Sequence, residues 1–525
     1  MVTKDLPIGV KLVKVLTRRC QWNFNKDLWN KGLILVLTFL SYMSYHFTRK
    51  PISVVKNVLH PNCSNALQST DKFHSGDNCS GWAPFDGNNA GRLFGALDSA
   101  FLFAYAFAMF ISGVVAERVN LRYFLSMGML LSGVLCYMFG LARSLNIHSL
   151  PYFIIVQILM GVFQTTGWPA VVTIVGHWFG KGKRGLIFGI WNSHTSLGNI
   201  IGTLIAGYYV ETNWGYSFIV PGFLMAVFGF FIFLFLVVHP EDVGCSSPES
   251  VNRRGINVSS YMSLPQKDDS SSENDSEEDE EDTKVVPSVP YHTGGSATER
   301  SPILINQNEK AIGFLEALKI PGVVEFSMSL FFSKLVSYTF LYWLPYYISS
   351  STSFSPSLSA ELSTLFDVGG IAGAIAAGTV TDATNMSATV CVIMLLLAVP
   401  TMFVYEAYGN VSKLVNVSLL LVTGALVNGP YALITTTVSA ELGTHESLQG
   451  NSKALATVTA IIDGTGSIGA AVGPLIAGLV SPTGWDKVFY FLMASDIAAL
   501  TLLIRLTIKE FYKIRGLRHR PRIFP

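Results

Sequence analysis

Twelve stretches of about twenty apolar residues dominate this sequence, each long enough to carry a helix across roughly 30 Å of hydrocarbon. They fall near 29–48, 93–116, 122–142, 150–178, 184–210 and 216–238, then near 321–349, 357–381, 387–407, 413–439, 452–480 and 485–508. Half of the 525 residues are hydrophobic and only 14% are charged, which leaves too few polar side chains to clothe a soluble protein of this size. The expected fold is all-α: twelve transmembrane helices in two six-helix halves.

Between the two sixes, residues 239–312 are rich in Ser, Pro, Asp and Glu, bury too little to fold, and read as an acidic cytosolic linker. Ten of the 35 acids crowd into residues 268–282, so the formal net charge of +1 conceals 25 acids against 36 bases elsewhere. No nucleic-acid partner is implied. The remaining divisions are a tail over 1–28, a first half over 29–238 with an outer loop inside 49–92, a second half over 313–508, and a basic tail over 509–525.

Lysine and arginine set the expected orientation. The ends and short loops on the side of the termini hold twenty, and the opposite side holds eight, counting Arg49, Lys50 and Lys56 as loop residues. That bias predicts cytosolic termini, with the first span retained as an anchor. The first outer loop then carries Asn62-Cys-Ser and Asn78-Cys-Ser, both expected glycosylation acceptors, and Cys63 and Cys79 are expected to pair on the same oxidising side. The six cysteines show no CxxC spacing, so neither a metal site nor a cofactor is expected.

The chain repeats itself. Residues 192–218 align without gaps on 463–489 with ten identities, among them Gly198 on Gly469, Gly202 on Gly473 and Trp214 on Trp485. Spans five and eleven therefore hold equivalent places. A weaker echo relates Gly113–Glu117 to Gly378–Asp382. Two halves of like orientation, related by an axis along the membrane normal, are the plan of the major facilitator transporters.

A charge near the bilayer centre costs at least about 2.5–3.5 kcal/mol, which makes each one a candidate for function. Lys334 lies about a dozen residues from either end of its span, too deep for its stem to reach an interface. It is either a ligand for an anion or a structural cation neutralised by Glu325 or another acid. Arg49 is an interfacial anchor if span one stops at Thr48; it lies well inside if the helix kinks at Pro51 and continues through Ile52, Val54 and Val55. A guanidinium there matches two phosphate oxygens. His194, ten residues beyond Arg184, is a packing residue, a phosphate ligand or a proton carrier. Asp98, Asp367, Asp463 and Asp496 are the intramembrane acids, expected to partner buried cations or hydroxyls. No GxSxG elbow, P-loop or HExxH is present, so neither an enzyme nor an ATP-driven pump is expected.

The loop GVVAERVNLR, Gly113–Arg122, resembles the facilitator signature, and Met160–Asn199 resembles the organophosphate:phosphate antiporters. YHFTRKPISVVK, QTTGWPAVVT, GHWFGKGKRG, FSKLVSYTFLYWLP, STLFDVGGI and LVNGPYALITT extend the likeness to the animal sugar-phosphate exchangers across all twelve spans. The resemblance implies that Arg49 binds phosphate, that Lys334 stands where bacterial relatives carry a second arginine, and that His194, Tyr105, Gln164 and Trp168 face the pocket. Asp367 matches an acid that pairs with the cations. Ala108 stands where the bacterial relatives carry a pocket lysine, a departure from the family pattern that leaves substrate affinity and choice open. Glu117, Arg118 and Arg122 are expected to latch spans two, three and eleven, with Asp382 the remnant of a second latch whose basic partner is Ala383.

The expected activity is exchange of a sugar phosphate, glucose-6-phosphate, for inorganic phosphate by alternating access, in a monomer whose surroundings are the lipid bilayer. A proton-coupled carrier of another organic anion, using His194 and Asp463, is the alternative; a scaffold working through its acidic linker is a third reading. The resemblance places the chain in the endoplasmic reticulum membrane, and Glu299–Leu304, which resembles an acidic dileucine signal, in the lysosomal membrane instead.

Overall fold

The twelve apolar stretches appear as helical segments in the computed structural model, which describes residues 6–16, 25–61, 81–116, 118–179, 191–245, 314–443 and 453–518. Asn62, Cys63, Asn78, Cys79 and Glu117 lie outside the described residues, as does the linker from residue 246 to 313.

Span one is Lys26–Arg49 followed by Pro51–Leu59, span two Ala90–Ala116, span three Leu121–Ser144. Span four is Leu150–Gln164 followed by Gly167–Phe179; span five is helical over His194–Val210, and span six over Tyr216–Phe235. The second half contains Val323–Ser351, Pro356–Thr384, Ser387–Tyr408, Lys413–Leu433 with a π-turn over Ile434–Val438, Lys453–Val480 and Trp485–Arg518 as spans seven to twelve.

Nine of these segments are long and apolar enough to cross a membrane by length and composition among the described residues. The other three are spans one, five and seven, which hold Arg49, His194 and Lys334.

Glycines fix how the helices meet. A Cβ at Gly198 or Gly202 in span five would strike the carbonyls of Met43 and Phe47 in span one, at 2.5 and 2.6 Å. In span eleven, Gly469 and Gly473 abut the carbonyls of Phe331 and Leu335 in span seven in the same way. The internal repeat is thus a repeat of contacts: span five lies on span one as span eleven lies on span seven. By this register His46 is the counterpart of Lys334, whereas Arg49 corresponds to Ser337. The two cations are not symmetry mates.

The halves close on each other at the end opposite the termini. A Cβ on Gly95 would lie 3.1 Å from Gly478, and Gly207 faces Ala360 at 3.1 Å. Ser99 donates to Ala471 O at 3.1 Å, and Ser357 N donates to Glu211 at 3.1 Å.

Two expectations are corrected. Span one does not end at Thr48: the helix restarts at Pro51, because proline at the first helical position needs no partner for the N–H it lacks, and it runs to Leu59 with Arg49, Lys50 and Lys56 all buried. These three are bundle residues, not outer-loop cations. The chain also stays packed past residue 238: Val243 and Cys245 join the apolar cluster of Val237 and Trp178, and Trp178 Nε1 donates to Val237 O at 3.0 Å.

Candidate functional site

Arg49 occupies the last turn before the Lys50–Pro51 break, where unpaired carbonyls favour a cation. Its Nε donates to Gln164 Oε1 at 2.6 Å, and its guanidinium carbon lies 4.8 Å from the centre of the Tyr105 ring. Nη2 is buried without a hydrogen-bond partner. Gln164 sits at the interruption of span four, and its Nε2 donates to Thr48 Oγ1 at 3.1 Å. Pro169 cannot donate to the Thr165 carbonyl one turn back; Ser112 of span two does so instead, at 2.8 Å. Broken backbone and functional side chain coincide in both helices.

Lys334 lies in the middle of span seven, 4% exposed. Gly466 leaves room for its stem: a Cβ there would fall 2.9 Å from Lys334 Cδ. The ammonium donates to Asp463 Oδ1 at 2.7 Å and lies 5.6 Å from the centre of the Tyr431 ring. The neutralising acid is therefore Asp463, while Glu325 faces Arg505 at 3.6 Å. Tyr105 and His46 stand within electrostatic reach of both Arg49 and Lys334, so the cations from the two halves share one neighbourhood.

Asp367 does not pair with either of those cations. Lys50 Nζ lies 3.8 Å from its Oδ2 and Asn199 donates to its Oδ1 at 2.9 Å, while Lys50 also donates to Leu341 O at 2.9 Å. Six residues on, Lys56 pairs with Asp98 at 2.5 Å, both fully buried, and donates to Tyr342 O at 3.0 Å. Lys50 and Lys56 thus bind the first half to the span-seven backbone. Asp496 differs from the other three acids: neither of its oxygens has a hydrogen-bond partner among the described residues.

His194 is enclosed by rings. Trp191, Tyr42, Phe39 and Trp168 have centroids 4.4, 4.7, 5.8 and 6.5 Å away, and Nδ1 meets Thr195 Oγ1 at 3.1 Å. Its Nε2 is buried without a partner. Trp168 belongs to the same cage, 5.0 Å from Tyr42. His194 itself lines neither of two cavities near the cations, although its neighbour Thr195 does. One of these cavities lies between the halves, lined by His46, Asn199, Ser337, Tyr338, Asp367, Asn428 and Tyr431 among others.

The latch residues are far less enclosed at one end. Arg118 and Asp382 are exposed, and Arg122 Nη2 donates to Tyr123 OH at 3.0 Å.

Sequence reasoning missed Lys50, Lys56 and His46 beside the cations, and Asn199 and Asn428 in the wall of the neighbouring cavity. Arg49 with Lys50, Ser53 and Lys56 recurs at three- to four-residue intervals across Pro51; reading the helix through the proline would have found the two lysines.

A model of the Major Facilitator Superfamily matches residues 34–454. The glucose-6-phosphate exchanger SLC37A2 of Mus musculus is 53% identical over 498 residues, 93% of this chain and 94% of its own length. The Homo sapiens SLC37A2 exchanger is 54% identical over 490 residues, 93% and 94% of the two chains, and the Mus musculus SLC37A1 exchanger is 49% identical over 524 residues, 96% of each. The crystal structure of a D-xylose-proton symporter superposes with a TM-score of 0.56 at 12% identity, covering 91% of this chain and 98% of that one.

Proposed function

We propose that this chain, which belongs to the Major Facilitator Superfamily, exchanges a sugar phosphate, glucose-6-phosphate, for inorganic phosphate by alternating access. The observation that carries this reading is that Arg49 and Lys334, buried cations of opposite halves, share Tyr105 and His46 as neighbours, with an unpartnered guanidinium nitrogen on one side. Relatives named as exchangers, half identical over nearly the whole chain, support exchange over proton-coupled carriage.

The phosphate lies between the two cations. Its oxygens take the free Nη2 of Arg49 and compete with Asp463 for the Lys334 ammonium, drawing spans one and seven together. Asp463 keeps Lys334 compensated when no anion is present, which lowers the cost of the empty buried site. Tyr105 and Gln164 hold the guanidinium flat and fixed in direction. His194 orients Thr195 at the cavity edge and packs against Trp168.

For the halves to open opposite the termini, Lys50 and Lys56 must release the span-seven carbonyls. Anion binding moves spans one and seven against each other and so favours that release, which makes an empty carrier cross slowly and exchange outrun net flow. Glu117, Arg118, Arg122 and Asp382 act at the other gate. The cation pair is complete within one chain, which works as a monomer in the endoplasmic reticulum membrane with its termini in the cytosol.

The test is counterflow. Purified protein in proteoliposomes takes up radiolabelled phosphate when the lumen holds phosphate or glucose-6-phosphate, and not when it holds buffer alone. Equal uptake in all three preparations would overturn exchange.

A further inference from the structure

We propose that the cavity between the halves is the subsite for the sugar hydroxyls, and that Asn428 distinguishes a phosphorylated polyol from bare phosphate. This rests on the exchange reading above and adds the recognition of the non-phosphate end of the cargo.

The cavity adjoins the cation site through Tyr431, whose ring faces the Lys334 ammonium at 5.6 Å and also forms part of the cavity wall. Its walls carry the groups that bind polyols: a carboxylate, Asp367; two side-chain amides, Asn199 and Asn428; and two aromatic faces, Tyr338 and Tyr431. Amides and carboxylates read hydroxyls because each hydroxyl donates once and accepts twice, and rings cover the apolar face of a pyranose.

One acceptor lacks a partner, and one amide is held in a fixed direction. Asp367 Oδ2 is buried with no hydrogen bond, since Lys50 Nζ at 3.8 Å is too far to make one. Asn428 is held in one orientation: Ser337 Oγ donates to its Oδ1 at 2.7 Å, and Gly370 gives way to its Nδ2, where a Cβ would come within 2.8 Å. The amide is set in place by both neighbours. The cavity is narrow, about 20 Å³, so it must widen, by separation of the halves, before a pyranose enters.

Inorganic phosphate fills the cation site alone and does not reach Asn428. Glucose-6-phosphate places its ring in the cavity with its hydroxyls on Asn428 and Asp367. Removing the amide therefore weakens one substrate and spares the other.

The experiment uses the full chain in phosphate-loaded proteoliposomes, wild type beside Asn428→Leu and Ser337→Ala. Uptake of radiolabelled phosphate is competed with glucose-6-phosphate or with ethyl phosphate, a phosphomonoester without a free hydroxyl. Asn428→Leu should keep phosphate homo-exchange and its sensitivity to ethyl phosphate, and should need about tenfold more glucose-6-phosphate for the same inhibition, the effect of losing one buried hydrogen bond. Ser337→Ala, which only frees the amide to turn, should show a smaller shift in the same direction. Unchanged inhibition by glucose-6-phosphate in Asn428→Leu would overturn the subsite. So would an equal loss of homo-exchange and inhibition, because Asn428 would then serve the fold or the phosphate. Failure of wild type to be inhibited by glucose-6-phosphate while exchanging phosphate would instead overturn the reading of the cargo.

Discussion

Lys334 and Asp463 show how far a single buried pair can carry both stability and function. The two side chains are 5% and 14% exposed, and truncating one partner leaves the other an uncompensated charge. Lys334→Ala should therefore cost about 3–5 kcal/mol of stability, and adding Asp463→Asn should recover most of it without restoring exchange. Thermal melting in detergent, with exchange measured on the same preparations, checks this; a single variant that melts like wild type would contradict the pairing. Arg49→Lys retains charge but loses the fork and the bond to Gln164, so exchange should fall at least about tenfold. Wild-type rates in that variant would mean that charge alone suffices. The depth of Lys334 was legible in the sequence because about a dozen residues of span separate it from either end, which leaves its stem no way out. Its partner was not, since Asp463 lies in another span and only packing decides which acid meets which cation.

At the scale of the helix, the breaks in spans one and four place Arg49 and Gln164 where backbone continuity is lost, and proline causes both. The same proline misled the sequence reading. Pro51 followed Arg49 and Lys50 closely enough to look like the end of a membrane span, and hydropathy counted Lys56 as a loop residue when it lies fully buried against Asp98. The repeat was legible because span-five and span-eleven glycines make equivalent contacts; the unequal placing of Arg49 and Lys334 was not, since it needs the register of spans one and seven. The Lys50–Asp367 contact ties the halves together on the side opposite the termini. Asp367→Asn should loosen that closure, and a cysteine placed at buried Ser99 should then react several-fold faster with a maleimide than in the otherwise wild-type chain. Equal labelling rates would remove the contact from the gate.

For the whole molecule, moving Arg49, Lys50 and Lys56 into the bundle leaves five of the eight basic residues assigned to the side opposite the termini, against twenty on the side of the termini. That strengthens the expected orientation. If the loop holding Asn62 and Asn78 is lumenal, glycosidase should shorten the wild-type chain on a gel and leave Asn62→Gln/Asn78→Gln unchanged; a wild-type chain indifferent to glycosidase would count against it. In the proposed exchange, a phosphate held between cations of opposite halves lets the halves rearrange from one access state to the other. The most direct test of this is uptake of radiolabelled phosphate into phosphate-loaded proteoliposomes by wild type and by Arg49→Ala. If phosphate bridges the two cations, lumenal phosphate stimulates uptake in wild type, and uptake in the variant does not exceed that of empty liposomes. Equal stimulated uptake by both would contradict it.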